Sequence, residues 1–448
     1  MRVLRMLLRG TNPGRQHQER TIIGDPVLEF YSATMARHEF LSVVSKAPGL
    51  YGTPLVDLVR LTSVMYGYLQ KPGRVLVAKP IISADSHITE PPGCYRDNIE
   101  SKFADTAPYI KEMDTLGDVF VIDGMPAPVP LGLVAAAGMD PKDIKAEGVH
   151  FEDLHRSGWD PKMRKADQER DGIAAEIIYP TVGMVLCNHP NVLYKQACME
   201  AYNRWLEGFC EGAEEGRIYG LGQTAITSVD AAVTELRKMK EMGFIGVMMP
   251  GEPATEFDYD DPRFDPLWEA SVDLNMPLSF HILTSRGSGL DAPRGPKINA
   301  FLSIIRSCQD VMGMFIYSGV FDRFPELKLV CAEADAGWVP HYMYRMDHAY
   351  EYHRYWMKAP SLEKKPSEYF RENIAMTFQD DYVAFQCKDM VNVRRLMWAS
   401  DFPHSDSTWP RSQQVLSAQT AHLTEEERDW VCHDNVAAWY GLAEYAAA

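Results

Sequence analysis

The sequence predicts a (β/α)8 TIM barrel that carries an N-terminal extension and a long insertion after its first strand. Three observations predict it. From residue 80 onward, eight short apolar runs alternate with helical patterns. The runs are continuously apolar rather than alternating, the pattern of parallel strands covered by helices on both faces. Several runs stop abruptly at Asp, Glu or His, as strands do at the catalytic face of such a barrel.

The first strand is predicted over 80–87 (PIISADSH). The stretch 88–171 is too long for an ordinary connection and is expected to form an inserted subdomain or lid, with a Pro-rich loop at MPAPVPLG. Further strands are predicted over 172–180, 217–226, 244–251, 277–282, 327–335, 373–381 and 395–404. After the third strand, ITSVDAAVTELRKMKEMG reads as an amphipathic helix capped by Ser228, with Ala231, Ala232, Leu236 and Met239 on one face. DPLWEASVDLNM is a second helix. HYMYRMDHAYEYHRYW, over 341–356, is helical and rich in aromatics. Its rings, with His341, His348 and His353, are expected in the core or at a subunit contact, and Trp338 and Trp398 in packing.

A chain of 448 residues, 46% hydrophobic, is long enough for one large domain with additions. It has no apolar run long enough to span a membrane, and its first residues lack the apolar stretch and small-residue cleavage site of a secretory signal. The eight cysteines form no C-x-x-C pair, which reads as reduced thiols in a cytoplasmic protein. A net charge of -17 argues against nucleic acid as a partner. The charge is uneven: residues 1–80 hold 11 Lys/Arg against 5 Asp/Glu, and the remainder 34 against 57. Residues 1–78 are therefore read as an extension or arm, packed on the body or on a second subunit, with Met65 as an alternative start, and 79–442 as the barrel.

The strand ends carry the chemistry. Asp85 and His87 are two apart on one strand, so both side chains face the same way. The fifth strand delivers His281, the sixth Glu333 and Asp335, and the eighth Asp401 followed by His404. Burying such groups is costly unless they are paired. Asp85, His87, His281 and Asp401 together form a nitrogen and oxygen donor set suited to Zn²⁺, Mn²⁺ or Fe²⁺. The competing reading is four separate hydrogen-bonded residues at loop entrances. His189, in VGMVLCNHP, is a candidate acid, base or substrate contact. Arg286 is a candidate partner for a substrate carboxylate, and His404 a candidate substrate contact. Glu90, in TEPP, is a site residue or part of a rigid strand exit.

The stretches ADSH (84–87), DPRFDPLWEASVDLNMPLSFH (261–281), FPELKLVCAEADAGWVPHYMYRMD (324–347) and ASDFPHSDS (399–407) together resemble the metal-dependent amidohydrolase superfamily. They are most similar to its amidohydrolase-related group, which includes aminocarboxymuconate-semialdehyde decarboxylase and the resorcylate-type decarboxylases. The resemblance implies that Asp85 and His87 are the first-strand ligands, His281 the fifth-strand ligand, and Asp401 an aspartate that binds metal and exchanges a proton. Dinuclear relatives use a carboxylated lysine on the fourth strand; VMMPG has none, so one divalent metal is expected, zinc first, with manganese or iron as alternatives. The family's sixth-strand histidine is Glu333 here, which replaces it, polarises a ligand, or faces away. A homodimer is also implied.

The expected function is a mononuclear metal-dependent hydrolase cleaving a C–N or C–C bond of a small aromatic or carboxylate-bearing substrate through metal-activated water. Asp401, Glu333 and His189 are the candidate catalytic residues. The alternative is a non-oxidative decarboxylase of an aromatic or muconate-type acid. A barrel that only binds its ligand is the third reading. In each case the partner is a small molecule, with no nucleic acid and no membrane.

Overall fold

A computed structural model describes residues 77–286 and 295–445. The extension expected over 1–78, with any exchange of an arm between subunits, lies outside the described residues apart from its last two. The barrel strands are β1 (Ile81–His87), β5 (Ile173–Tyr179), β6 (Ile218–Gln223), β7 (Gly246–Met249), β8 (Leu278–His281), β9 (Leu329–Ala332), β10 (Ile374–Phe378) and β11 (Leu396–Trp398). They form one parallel sheet in the order β1-β5-β6-β7-β8-β9-β10-β11, and each lies within one of the expected apolar runs. Every residue of these strands is buried or nearly so because helices cover the outside and side chains fill the inside. Ile82, Ile177, Leu221, Met248, Val330 and Met397 meet in one interior cluster.

The insertion between β1 and β5 holds β2 (Tyr109–Met113), β3 (Gly117–Val121) and β4 (Val129–Pro130), a small antiparallel sheet. Their short, mixed sequences carry no clear period, so they were not separable as strands from the amino acids. The insertion ends in helix α1 (Pro161–Asp171). It is tied to the loop after β11: Ala137 N–H donates to Pro403 O (3.0 Å) and Ser405 N–H to Leu133 O (3.0 Å). The later helices include α2 (Val192–Glu211), α3 (Val229–Glu241), α4 (Asp265–Asp273), α5 (Ile305–Tyr317) and α6 (Val339–Met357). Ser228 Oγ caps α3 by accepting from Ala231 N–H (3.1 Å), and Ala232, Leu236 and Met239 are its buried face. In α6 only Val339, Met343 and Met346 are buried. Tyr344, Tyr352, Tyr355 and Trp356 are exposed, so most of this aromatic run is not core. No helix among the described residues is long and apolar enough to cross a membrane.

The barrel closes between β1 and the chain just past β11. Asp401 N–H donates to Asp85 O (3.0 Å) and His87 N–H to Phe402 O (2.7 Å). Beneath this seam lies Arg164 of α1, fully buried. Its Nε and Nη2 donate to the two Glu176 carboxylate oxygens (2.6 and 3.0 Å). Its Nη1 donates to His87 O (2.7 Å) and its Nη2 also to Phe402 O (3.2 Å). One guanidinium therefore ties β5, the end of β1 and the turn after β11. Close by, Glu90 Oε1 accepts from Thr181 N–H (3.1 Å) and Gly183 N–H (3.2 Å), joining the exit of β1 to that of β5. Burial pushes the Glu90 carboxyl up to about 7, against the pull of these N–H groups.

Two outcomes follow from these buried groups. Arg164→Met leaves Glu176 buried without its partner and is expected to cost about 3–5 kcal/mol in denaturant unfolding. A loss below about 1 kcal/mol would show that the seam does not depend on the pair. Glu90 binds its proton more tightly folded than unfolded, so it favours the fold when protonated. Its contribution is complete below pH 4.5 and is lost as pH rises through about 7. Glu90→Gln, which mimics the protonated form, is expected to flatten this decline by up to about 3 kcal/mol between pH 5 and 8. Parallel pH curves for the variant and the parent would refute the assignment.

Candidate metal centre

Asp85 and His87 reach the barrel mouth from β1. A register irregularity between Ser83 and Ser86 turns both serine hydroxyls toward Ser400, each 3.1 Å from its Oγ. His281 is the last residue of β8. Glu333 and Asp401 are not on strands. Glu333 follows β9 directly, Asp401 lies three residues past β11, and each has φ of 52°. Residues with a Cβ adopt this left-handed region rarely, and only where the surroundings hold them there. Here the Asp401 N–H is held by Asp85 O, and the Glu333 N–H donates to Thr377 Oγ1 on β10 (2.8 Å).

These side chains converge. His87 Nε2 lies 3.4 Å from Asp85 Oδ1, 3.4 Å from Asp401 Oδ1 and 3.8 Å from Glu333 Oε2. His281 Nε2 lies 3.7 Å from Asp85 Oδ2 and 3.1 Å from Glu333 Oε2. Yet Asp85 Oδ1, His87 Nε2, His281 Nε2 and both Asp401 carboxylate oxygens are buried with no hydrogen-bond partner. They fall in two overlapping groups that share His87, one with Asp85 and His281 and one with Glu333, Asp401 and His404. Buried atoms gathered in this way are costly unless something binds them together.

The outer contacts fix which face each donor presents. His87 Nδ1–H donates to Pro180 O (2.9 Å) and His281 Nδ1–H to Ile282 O (3.0 Å). A carbonyl can only accept, so each ring commits its Nδ1–H there and turns Nε2 to the centre, the usual arrangement behind a metal. The Thr377 hydroxyl donates to Asp85 Oδ2 (2.8 Å). The electrostatics tell the same story. Burial, then the Asp85 charge, pushes Asp401 well above the usual carboxylate range. Burial, then Asp401, raises Glu333. Burial also works to raise Asp85, but His281 and His87 hold it well below the usual range. Burial, then His404, lowers His87 to about 4. Burial works to lower His281, but Asp85 and Glu333 hold it well above the usual imidazole range. Three carboxylates beside two imidazoles in a closed space draw positive charge to the centre, and a divalent cation fits that demand.

His404 joins the group. Its ring stacks on that of His87 (3.9 Å between centroids), and its Nδ1 lies 3.0 Å from Asp401 Oδ1. The Thr181 hydroxyl donates to Ile88 O (2.6 Å), so it accepts from His404 Nε2–H (2.8 Å). Nδ1 is then left facing Asp401 with room for one shared proton. His189 is not brought in. Its Nε2–H donates to Asp123 O (2.7 Å) and its ring packs on Tyr194, so it anchors the insertion. Arg286 is exposed at the rim; its backbone N–H donates to Glu252 (3.0 Å), and residues 287–294 beyond it lie outside the described residues. Asp335 is exposed beyond Glu333, and Glu90 sits behind Thr181 rather than at the centre. Arg164, Thr181 and Thr377 were missed. The one available signal was a threonine inside the apolar run IAMTF.

Comparisons with known proteins agree with this fold. Residues 153–442 match the family described as Amidohydrolase. A 2-amino-3-carboxymuconate-6-semialdehyde decarboxylase of Dictyostelium discoideum is 23% identical over 219 residues, 46% of this chain and 55% of that relative. The crystal structure of an amidohydrolase from Mycobacterium avium subsp. paratuberculosis superposes with a TM-score of 0.66 at 21% identity, covering 82% of this chain and 100% of that one. A 5-carboxyvanillate decarboxylase from Novosphingobium aromaticivorans, solved with bound manganese and 3-methoxy-4-hydroxy-5-nitrobenzoic acid, superposes with a TM-score of 0.58 at 18% identity, covering 81% and 97%. With its eight-stranded parallel barrel and a family match over most of its length, the chain belongs to the amidohydrolase family.

Proposed function

We propose that this protein is a metal-dependent, non-oxidative decarboxylase of a small aromatic or muconate-type acid. One observation carries the reading: buried donor atoms without hydrogen bonds converge on a point beside the Asp401–His404 pair. Asp85, His87, His281 and Asp401 hold one divalent cation in this reading. The manganese in the carboxyvanillate decarboxylase and the carboxylate-rich donor set here support manganese or iron over the zinc expected first. When bound, the cation would supply a Lewis acid for the substrate's carboxylate.

The chain's own residues do the rest. Asp401 carries a proton shared with His404 Nδ1, and Thr181 holds the His404 ring in place. That proton passes to the carbon bearing the carboxylate, forming a C–H bond with ring π electrons. The C–CO₂ bond then breaks, its electron pair restores the ring, and CO₂ leaves. Arg286, at the rim, is placed to meet an incoming carboxylate, and His189 keeps the insertion in position. The exposed aromatic face of α6 supports a homodimer.

Hydrolysis by activated water was the first expectation and decarboxylation the alternative. The names of the similar proteins support the reverse order. The test is turnover of hydroxylated benzoates by the Mn²⁺-loaded protein in heavy water. The expected result is CO₂ and a product with one deuterium at the vacated carbon, with kcat lowered about 10²- to 10⁴-fold in Asp401→Asn. Oxygen from labelled water in a cleaved product, without CO₂, would establish hydrolysis instead.

A further inference from the structure

We infer that Glu333 is itself a ligand of the metal, so that the cation sits among three carboxylates and two imidazoles. The inference rests on the reading above that this site holds a cation. It concerns the position where the resemblance implied a histidine acting on substrate.

Distance is the first argument. Two donors bound about 2.1 Å from one cation lie about 3.0 Å apart at right angles and about 4.2 Å apart at most. Glu333 Oε2 is 3.1 Å from His281 Nε2 and 3.8 Å from His87 Nε2. Three contacts among the four expected donors fall in the same range, at 3.4, 3.4 and 3.7 Å. Glu333 thus meets both histidines as a co-ligand would.

The second argument is the direction of the ring nitrogens. Both imidazoles spend their Nδ1–H on backbone carbonyls, so both turn Nε2 toward Glu333 Oε2. Neither nitrogen forms a hydrogen bond there. A carboxylate oxygen can only accept, so each of these contacts needs positive charge between oxygen and nitrogen. One proton can serve only one of the two contacts, whereas a cation serves both.

The third argument is the scaffold. One hydroxyl, Thr377 Oγ1, accepts from Glu333 N–H and donates to Asp85 Oδ2. The left-handed turn at Glu333 and the Asp85 carboxylate are therefore positioned by the same atom. A side chain free to swing toward substrate needs no such coupling to a ligand. Three oxygen donors beside two nitrogens favour a six-coordinate, hard ion such as Mn²⁺ over four-coordinate zinc. They also leave few positions for water.

The experiment counts water on the bound ion. The full chain is loaded with Mn²⁺, and ¹⁷O broadening of its electron paramagnetic resonance signal gives the number of coordinated waters. Glu333→Ala is expected to gain one water over the parent, and the control Asp335→Asn none. Should Glu333→Ala fold poorly, Glu333→Gln keeps the shape; it is expected to bind Mn²⁺ at least about 10-fold more weakly and to shift an equimolar Mn²⁺/Zn²⁺ competition toward zinc. Mn²⁺ bound to Glu333→Ala with an unchanged water count would overturn the inference and leave the metal reading standing. So would an unchanged metal ratio in Glu333→Gln. A parent protein that binds no divalent ion at all would overturn both.

Discussion

The geometry at the mouth of the barrel depends on how β1 meets the chain leaving β11. β11 is short, and the residues that matter lie past its end. Two backbone hydrogen bonds join the Asp85–His87 segment to Asp401 and Phe402. The Arg164 guanidinium, paired with Glu176, holds the carbonyls of His87 and Phe402 from beneath. Its five N–H donors in a fixed fork can serve a carboxylate and two carbonyls at once, which a lysine cannot. Since His87 and Asp401 are the adjoining residues, the separation of their side chains is set by this clamp more than by the strands. A buried ion pair is weak evidence for stability by itself. Here its partners explain it: it fixes a distance between two elements that have no continuous ladder.

Above the clamp the side chains are arranged against their own electrostatics. Carboxylates face carboxylates, and imidazole Nε2 atoms crowd against several carboxylate oxygens at once. Each conflict is held in place by an outer contact: Pro180 O behind His87, Ile282 O behind His281, Thr377 behind Asp85 and Glu333, Thr181 behind His404. These contacts are ordinary hydrogen bonds of modest net worth each. Together they prevent the donors from relaxing away from one another. A folded protein that maintains such repulsion gains from it only when a ligand relieves it, which is the physical meaning of a pre-formed cation site.

Much of this was legible in the amino acids. Eight apolar runs located eight strands because fully buried parallel strands are continuous in sequence, and the abrupt polar endings of those runs located Asp85, His87 and His281. Glu333 and Asp401 were found at the right end of the right units, although they sit in turns rather than on strands. The residues that orient the donors were not legible. Arg164 lies in a helix whose other charges are mostly solvated, and nothing in PKMRKADQERD separates it from its neighbours. Thr181 and Thr377 act through one hydroxyl each, across elements far apart in the chain. His189 was misleading for the same reason: a histidine in a loop at the catalytic face looks alike whether it faces the substrate or a backbone carbonyl. Periodicity reports burial; it does not report which polar group a buried side chain meets.

The choice between the two chemistries turns on where the proton sits. Water-dependent cleavage needs Asp401 as a base that begins ionised, with an open coordination position for water. Protonation of a carbon needs an acid that begins charged with its proton. The contacts of Asp401 favour the acid, because His404 presents Nδ1 rather than N–H to it. An N–H facing Asp401 would have stabilised the carboxylate and pointed the other way. The Thr181 hydroxyl, by accepting from His404 Nε2–H while donating to Ile88 O, sets that orientation. The direction of a single hydroxyl in the loop after β5 is thus coupled to the protonation state of the aspartate on the opposite side of the seam. A carbon-protonating role fits that coupling better than a hydrolytic one.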